Sequence, residues 1–162
     1  MTKHDAMKAY FEPKIVELFG IPSGFNFSAD TAESASFITN YSDKAIKKYV
    51  RSAEKEYGFS IIVVKPFSPY GDDLNLNAMN FAQTFMDWIE EQNRKRIFPE
   101  FPVNCQIKKL EVLQNMPNLS GINEEQCIAR YMIQGRLIYF EKEEREHEVE
   151  GTDAGIDAGS GV

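Results

Sequence analysis

The stretch CIARYMIQGRLIYF at residues 127–140 predicts one long β-strand with two unlike faces. One face is apolar and consists of Tyr131, Ile133, Gly135, Leu137 and Tyr139. The other face has mixed polarity and consists of Arg130, Met132, Gln134, Arg136, Ile138 and Phe140. The alternation therefore predicts a strand that packs its first face against a core.

Other strands are predicted upstream of this one. They cover residues 25–28, 36–39, 46–53, 57–65 and 105–114. A charged turn, Glu54-Lys55-Glu56, is expected to join two of them, and the loop at 116–121 is expected to consist of turn residues. The run FSIIVV at 59–64 is apolar at nearly every position, which is typical of a central strand covered on both faces.

Two helices complete the predicted fold. Apolar residues recur every three or four positions over 5–19, with Pro13 inside the pattern as a kink or a second helix start. The second helix carries a continuous apolar stripe: Leu74, Ala78, Phe81, Ala82, Phe85, Trp88 and Ile89. The order of helix, strands, helix and two strands predicts an α+β fold with a mostly antiparallel sheet flanked by two main helices.

The charge of the chain is unevenly distributed. From Glu141 onward there are eight acidic and two basic residues, which leaves 17 acidic and 16 basic residues before it. We expect one domain over 1–141 and an acidic, glycine-rich extension over 142–162 that is disordered on its own. The nearly neutral body argues against sequence-specific binding to nucleic acid, which needs clustered cations.

Neither a membrane span nor a secretory signal is expected. The longest aliphatic run, Ile61–Val64, is far shorter than the roughly 20 apolar residues that a span needs. The N-terminal residues lack the apolar stretch of a signal sequence, so synthesis in the cytoplasm is expected.

No motif in the sequence predicts catalysis, a cofactor or a metal. The two histidines, His4 and His147, lie near the ends of the chain, where no rigid scaffold is expected to hold them. An acetyltransferase motif, His-x-x-x-Asp, would need Asp where Lys8 and Gly151 stand. Glycine-rich phosphate loops, paired cysteines and His-Glu-x-x-His are absent from the sequence. The prediction is that the protein is not an enzyme.

A cluster of cations stands out within the neutral body. Lys44, Lys47, Lys48, Arg51 and Lys55 fall within 12 residues. Strand alternation would place Lys47 and Arg51 on one face and Lys48 on the other. Two interpretations stay open, namely an edge strand protected from aggregation by its charges and a binding patch.

Three segments resemble a known protein family. They are IKKYV at 46–50, FMDWIEEQN at 85–93 and ARYMIQGRLIY at 129–139. In order and spacing they are similar to tail terminator, or tail completion, proteins of long-tailed phages and prophages of Gram-positive bacteria. The resemblance covers about residues 46–141 well and the first 45 residues loosely.

The resemblance implies a structural virion protein made in the bacterial cytoplasm and located in the tail neck. Its expected partners are further copies of itself in a ring, usually a hexamer, the tail tube protein that the ring caps, and the head-tail connector or stopper that docks on it. The resemblance implies neither a cofactor nor a membrane partner. The candidate contact residues are Lys44, Lys47, Lys48, Arg51, Arg130, Met132, Gln134 and Arg136.

Two alternatives remain. One is another neck component, such as a connector or stopper, or the cap of a phage-tail-like particle. The other, from a different class, is a cytoplasmic enzyme with an unrecognised site. We also expect the acidic run at 141–150 to be able to dock on the cations of an adjacent copy.

Overall fold

The computed structural model describes residues 1–19, 24–26, 34–68, 70, 73–114 and 116–143. The helices are α1 (Lys3–Phe19) and α2 (Asp73–Lys95). The strands are β1 (Gly24–Phe25), β2 (Ser34–Lys48), β3 (Ser52–Pro66), β4 (Cys105–Val112), β5 (Asn118–Asn123) and β6 (Ile128–Lys142). The extension beyond residue 143 lies outside the described residues.

The strands form one six-stranded sheet in the order β1-β2-β3-β6-β4. All neighbours are antiparallel except β1 and β2, which are parallel. β5 pairs with the first part of β6, and β4 pairs with its last part along the same edge. The sheet and its two helices confirm the predicted α+β fold.

Both helices pack on one face of the sheet and share a single core. α1 contributes Met7, Phe11 and Ile15, and α2 contributes the stripe Ala78, Ala82, Phe85, Met86 and Ile89. Trp88 lies at the rim of this core, partly buried. No helix in the described part of the chain is long and apolar enough to cross a membrane.

The opposite face of the sheet is not covered by either helix. The helices cover only one side of the run at 59–64, but its other side is also largely buried, as the sequence predicted: Ser60 is 3% exposed and Val64 is 1% exposed. Alternate residues of β3, namely Tyr57, Phe59, Ile61 and Val63, face the core, whereas Ile62 is half-buried on the other side. We call this second side the open sheet face.

The turn between β2 and β3 is not where the sequence predicted it. The chain reverses at residues 49–51, where the Tyr49 amide donates to the Ser52 carbonyl at 2.7 Å. The predicted turn residues lie instead within β3, because each finds an opposite charge across the strands: Glu54 pairs with Lys108, Lys55 with Glu141, and Glu56 with Arg136.

A second difference concerns the predicted loop at 116–121. Residues Asn118–Asn123 form β5, which continues along the edge of β6 after β4 has ended. Its first residues have the small and polar character of a turn, but backbone pairing with β6 makes this segment a strand. Tertiary pairing thus overrides the local propensity.

Phe11 contacts more of the aromatic core than its neighbours do. Its ring lies 4.9 Å from Phe59, 5.3 Å from Phe37 and 6.3 Å from Phe85, measured between centroids. These rings belong to β3, β2 and α2. A single side chain of α1 therefore touches both the sheet and the other helix.

Phe11→Ala should lower the free energy of unfolding by about 3–5 kcal/mol, because it leaves a cavity where α1 meets the sheet and α2. The control is Val16→Ala in the same helix, at a side chain that is exposed; it should change stability by less than about 0.5 kcal/mol. Chemical denaturation measures both. Equal losses in the two variants would contradict the placement of Phe11 in the core.

Candidate interaction surface

The mixed face of β6 lies on the open sheet face, as the alternation predicts. Arg130, Met132, Gln134 and Arg136 are all half-buried there, and the core-facing residues between them are buried. The four residues form one row along the middle of the sheet. Their role in a contact with another subunit stays a prediction.

Arg136 is the centre of a polar chain that crosses four strands of this face. Its Nη1 donates to Glu56 Oε1 on β3 at 2.8 Å, and its Nε donates to Glu111 on β4. Tyr41 on β2 donates its hydroxyl proton to Glu56 Oε2 at 2.7 Å, and Lys109 Nζ lies 3.3 Å from Glu111 Oε2. We call Tyr41, Glu56, Arg136, Glu111 and Lys109 the polar ladder.

The electrostatics of the ladder follow from its pairing. Burial, together with the bond to Glu56, raises the pKa of Tyr41 to about 12. Burial would raise the pKa of Glu111, but hydrogen bonds from Arg136 and Lys109 outweigh it and lower that pKa. The bond to Glu111 is the main cause of the raised pKa of Arg136. At neutral pH the Tyr41 hydroxyl is therefore protonated, and Glu111 and Arg136 carry their charges.

Glu56 is a member of the polar ladder that the sequence did not predict. It is 5% exposed although it lies on the face without helices. The Tyr41 ring lies over Gly58, two residues further along β3, where any Cβ would overlap the ring. The available signal was a glycine two residues after Glu56, at the start of a β-forming run, and a buried acid there needs a partner.

A less polar area lies beside the ladder. Ile62 of β3 pairs with Met132 of β6, and both side chains are half-buried. Gln114, which follows β4, binds the backbone of β6 next to them. Its Nε2 donates to the Met132 carbonyl at 2.8 Å, and its Oε1 accepts from the Gln134 amide. The open sheet face therefore combines a fixed polar chain with adjacent apolar surface.

The predicted cations lie at the far end of the β2–β3 hairpin, which we call the hairpin tip (residues 44–51). Lys44, Lys47, Lys48 and Arg51 are all exposed. Lys47 and Lys48 lie on opposite faces of β2, but Arg51 lies in the turn, so the predicted shared face of Lys47 and Arg51 does not form.

The structure therefore divides the predicted contact residues between two places. Lys48 and Arg51 line a shallow cleft of about 330 Å³ at the hairpin tip, together with Lys55, Glu141 and Glu143. The β6 row lies on the open sheet face, and its Arg136 is linked to β2 through Glu56 and Tyr41.

A second cluster of charges lies beneath the start of α1. Lys3 Nζ is 2.6 Å from both Asp43 Oδ1 and Glu141 Oε1. Glu141 also pairs with Lys55, and Tyr139 donates to Asp43. Burial would raise the pKa values of Asp43 and Glu141. Hydrogen bonds outweigh it and lower both, from Lys3 and Tyr139 to Asp43 and from Lys3 and Lys55 to Glu141.

This cluster holds a thiol but no activated nucleophile. Burial raises the pKa of Cys105 to about 11, so the thiol is protonated at neutral pH. His4, at the start of α1, is hydrogen-bonded to Tyr57: its Nδ1 lies 2.8 Å from the Tyr57 hydroxyl oxygen. The geometry is that of a clamp that fixes α1 to the hairpin.

Cys105 and Cys127 are both free thiols, the first half-buried and the second exposed. Small isolated cysteines behave as hydrophobes, so the sequence favours two reduced thiols that are buried or half-buried. This prediction is wrong for Cys127, which is exposed in the turn before β6. Within the described residues, no group of three or more His, Cys, Asp or Glu side chains could hold a metal ion.

Comparison with known proteins returned no match either to a protein-family model or to a curated protein.

Glu141→Gln should lower the free energy of unfolding at neutral pH by about 1–3 kcal/mol, because Lys3 and Lys55 lose their shared anion. The folded pKa of Glu141 lies below its ordinary value of 4.5. Its stabilisation is therefore present above pH 4.5 and is lost as the pH falls through the folded pKa.

The difference between variant and wild type should accordingly shrink in acid, as measured by urea denaturation across that range. Glu90→Gln, at an exposed position of α2, is the control and should change stability little at any pH. A difference that stays constant into strong acid would contradict the clamp.

Arg136→Met should cost about 3 kcal/mol, because it leaves the buried carboxylate of Glu56 without its cation. In a double-mutant cycle with Glu56→Gln, the coupling energy should be about 1–3 kcal/mol. The exposed pair Glu91 and Lys95, at 3.0 Å, is the control and should couple by less than about 0.5 kcal/mol. Additive losses at 56 and 136 would contradict the ladder.

Proposed function

We propose that the protein is a tail terminator of a long-tailed phage or prophage. In this role it forms a ring, a hexamer, that caps the tail tube, stops its polymerisation and presents the surface on which the head connector docks. It acts through its surfaces in the virion neck and not as an enzyme.

The positions of the three motif segments support this proposal. The segment at 85–93 lies in α2 and contributes Phe85, Met86 and Ile89 to the core. The segment at 129–139 is most of β6, the strand that pairs with β3, β4 and β5. The segment at 46–50 forms the end of β2 and the turn. The resemblance therefore covers the centre of the fold and an exposed extremity.

The observation that carries the proposal is the open sheet face. A sheet with helices on one side only leaves a broad surface, and in this chain that surface is neither purely solvated nor purely apolar. The polar ladder holds its charges in fixed positions next to Ile62 and Met132. Mixed polarity with pre-ordered charged groups is typical of protein interfaces rather than of small-molecule pockets.

Imaging and native mass measurement test the proposal directly. The purified protein, alone or added to polymerising tail tube protein, should give rings of one stoichiometry, and tubes should stop growing with a ring at one end. Tubes without the protein are the control and should keep growing. Binding of one copy per tube, or unchanged tube growth, would contradict the terminator role; binding to the head connector without binding to tubes would favour a connector or stopper.

A further inference from the structure

The exposed apolar side chains are concentrated at two ends of the sheet. At the hairpin tip they are Ile46, Tyr49 and Val50, and Val50 is 97% exposed. At the other end they are Leu113, Met116, Leu119 and Ile122. These seven are more than half of the large exposed apolar residues in the described chain. The exposed apolar residues are therefore clustered at two sites rather than scattered over the surface.

The second group lies on a segment that we call the arm, residues 113–114 and 116–127. It includes β5 and the turn that leads into β6. β5 reads NLSGIN, without a charged residue or proline, and within the described residues it pairs on one side only, with β6. A register shift between Leu119 and Gly121 interrupts this edge, but no charge or proline within β5 opposes pairing, so the edge can accept a partner.

The two ends carry opposite charges. The arm ends in the exposed pair Glu124 and Glu125, held in a tight turn in which the Gln126 amide donates to Asn123 Oδ1 at 3.1 Å. The hairpin tip carries Lys44, Lys47, Lys48 and Arg51. The hairpin tip itself (residues 44–51) contains only basic charges, although Glu141 and Glu143 line the cleft beside it, and the charges of the arm are acidic. The two segments are therefore complementary.

The two ends cannot meet within one molecule. The hairpin tip adjoins the last residues of β6, because Ser52 pairs with Lys142, and the arm adjoins its first residues, because Asn123 pairs with Ile128. About 14 residue steps of extended strand separate them, which is roughly 45 Å. Complementary patches at opposite ends can be joined only between copies.

We propose that the hairpin tip of one copy docks on the arm of the next copy, in a head-to-tail contact. Such a contact joins two different patches and therefore builds a ring or a filament rather than a two-fold dimer. The proposal rests on the proposed ring in one respect: the ring is the closed form of this contact. The β6 row borders the arm, because Met132 pairs with Asn118, so the same contact can extend onto the open sheet face.

Charge reversal at each end tests the contact. The tip variant is Lys48→Glu with Arg51→Glu, chosen because Lys48 opposes Ala53 and not an acid. The arm variant is Glu124→Lys with Glu125→Lys. Each should raise the concentration needed for assembly by at least about 100-fold, because like charges then face each other. Lys8→Glu, on the exposed side of α1, is the control and should assemble as wild type does.

Mixing the two variants gives the decisive measurement. Each variant alone brings like charges together, but in an equimolar mixture the wild-type contact and the charge-swapped contact alternate, so the mixture should assemble. A chain that carries all four substitutions should assemble for the same reason. Sedimentation and native mass measurement distinguish these species. Val50→Asp should weaken assembly without affecting the melting temperature, since its side chain contacts solvent.

Three results would overturn the proposal. One is a wild-type chain that stays monomeric up to millimolar concentration. Another is a mixture of the two variants that stays unassembled. The third is loss of assembly in the tip variant only, which would assign the tip to the acidic segment after residue 143. The proposed function fails separately: head-to-tail assemblies that leave tube growth unchanged would refute the terminator role and leave this contact standing.

Discussion

The contact of Phe11 with the sheet and with the second helix is the constraint on which the rest of the structure depends. Because one ring of α1 touches β2, β3 and α2 together, the two helices share a face of the sheet instead of covering one face each. The core then has two layers, and the whole opposite side of the sheet must be stabilised by its own side chains. The polar ladder and the interaction surface are both consequences of this arrangement.

In an antiparallel sheet with helices on one side only, apolar residues normally point to the core, and the polar residues between them point to water on the other side. Here the arrangement differs, because Glu56 is buried on that side and bound by Tyr41 and Arg136. A paired carboxylate in a partly desolvated site is costly to separate from its cation. The ladder therefore holds β2, β3, β6 and β4 in one register where no helix supports them. A surface with such fixed charges can be recognised by a partner without being reordered first.

The elements that the sequence predicted well are those in which one periodicity runs uninterrupted. The alternation of β6 and the stripe of α2 identified which residues face the core, including Ile133, Leu137, Phe85 and Ile89. The turn at 54–56 was misplaced because its charges are satisfied by distant residues, Lys108, Glu141 and Arg136, which no local pattern reveals. β5 was missed for the same reason, since only pairing with β6 makes it a strand. The polar ladder could not be predicted, because its members lie on four strands whose order in the sheet is not visible in the sequence.

Strand length explains why exposed apolar residues lie at one extremity of this fold. β2, β3 and β6 have 15 residues each, about 50 Å when extended, whereas the 23-residue α2 spans about 35 Å. The helices cannot shield the full length of the strands, so part of the sheet projects beyond them. Projecting strands bury little of their own apolar surface, and Ile46, Tyr49 and Val50 remain exposed. In the monomer these side chains contribute little buried apolar area to the core. In the proposed head-to-tail contact, the arm of the next copy would bury them.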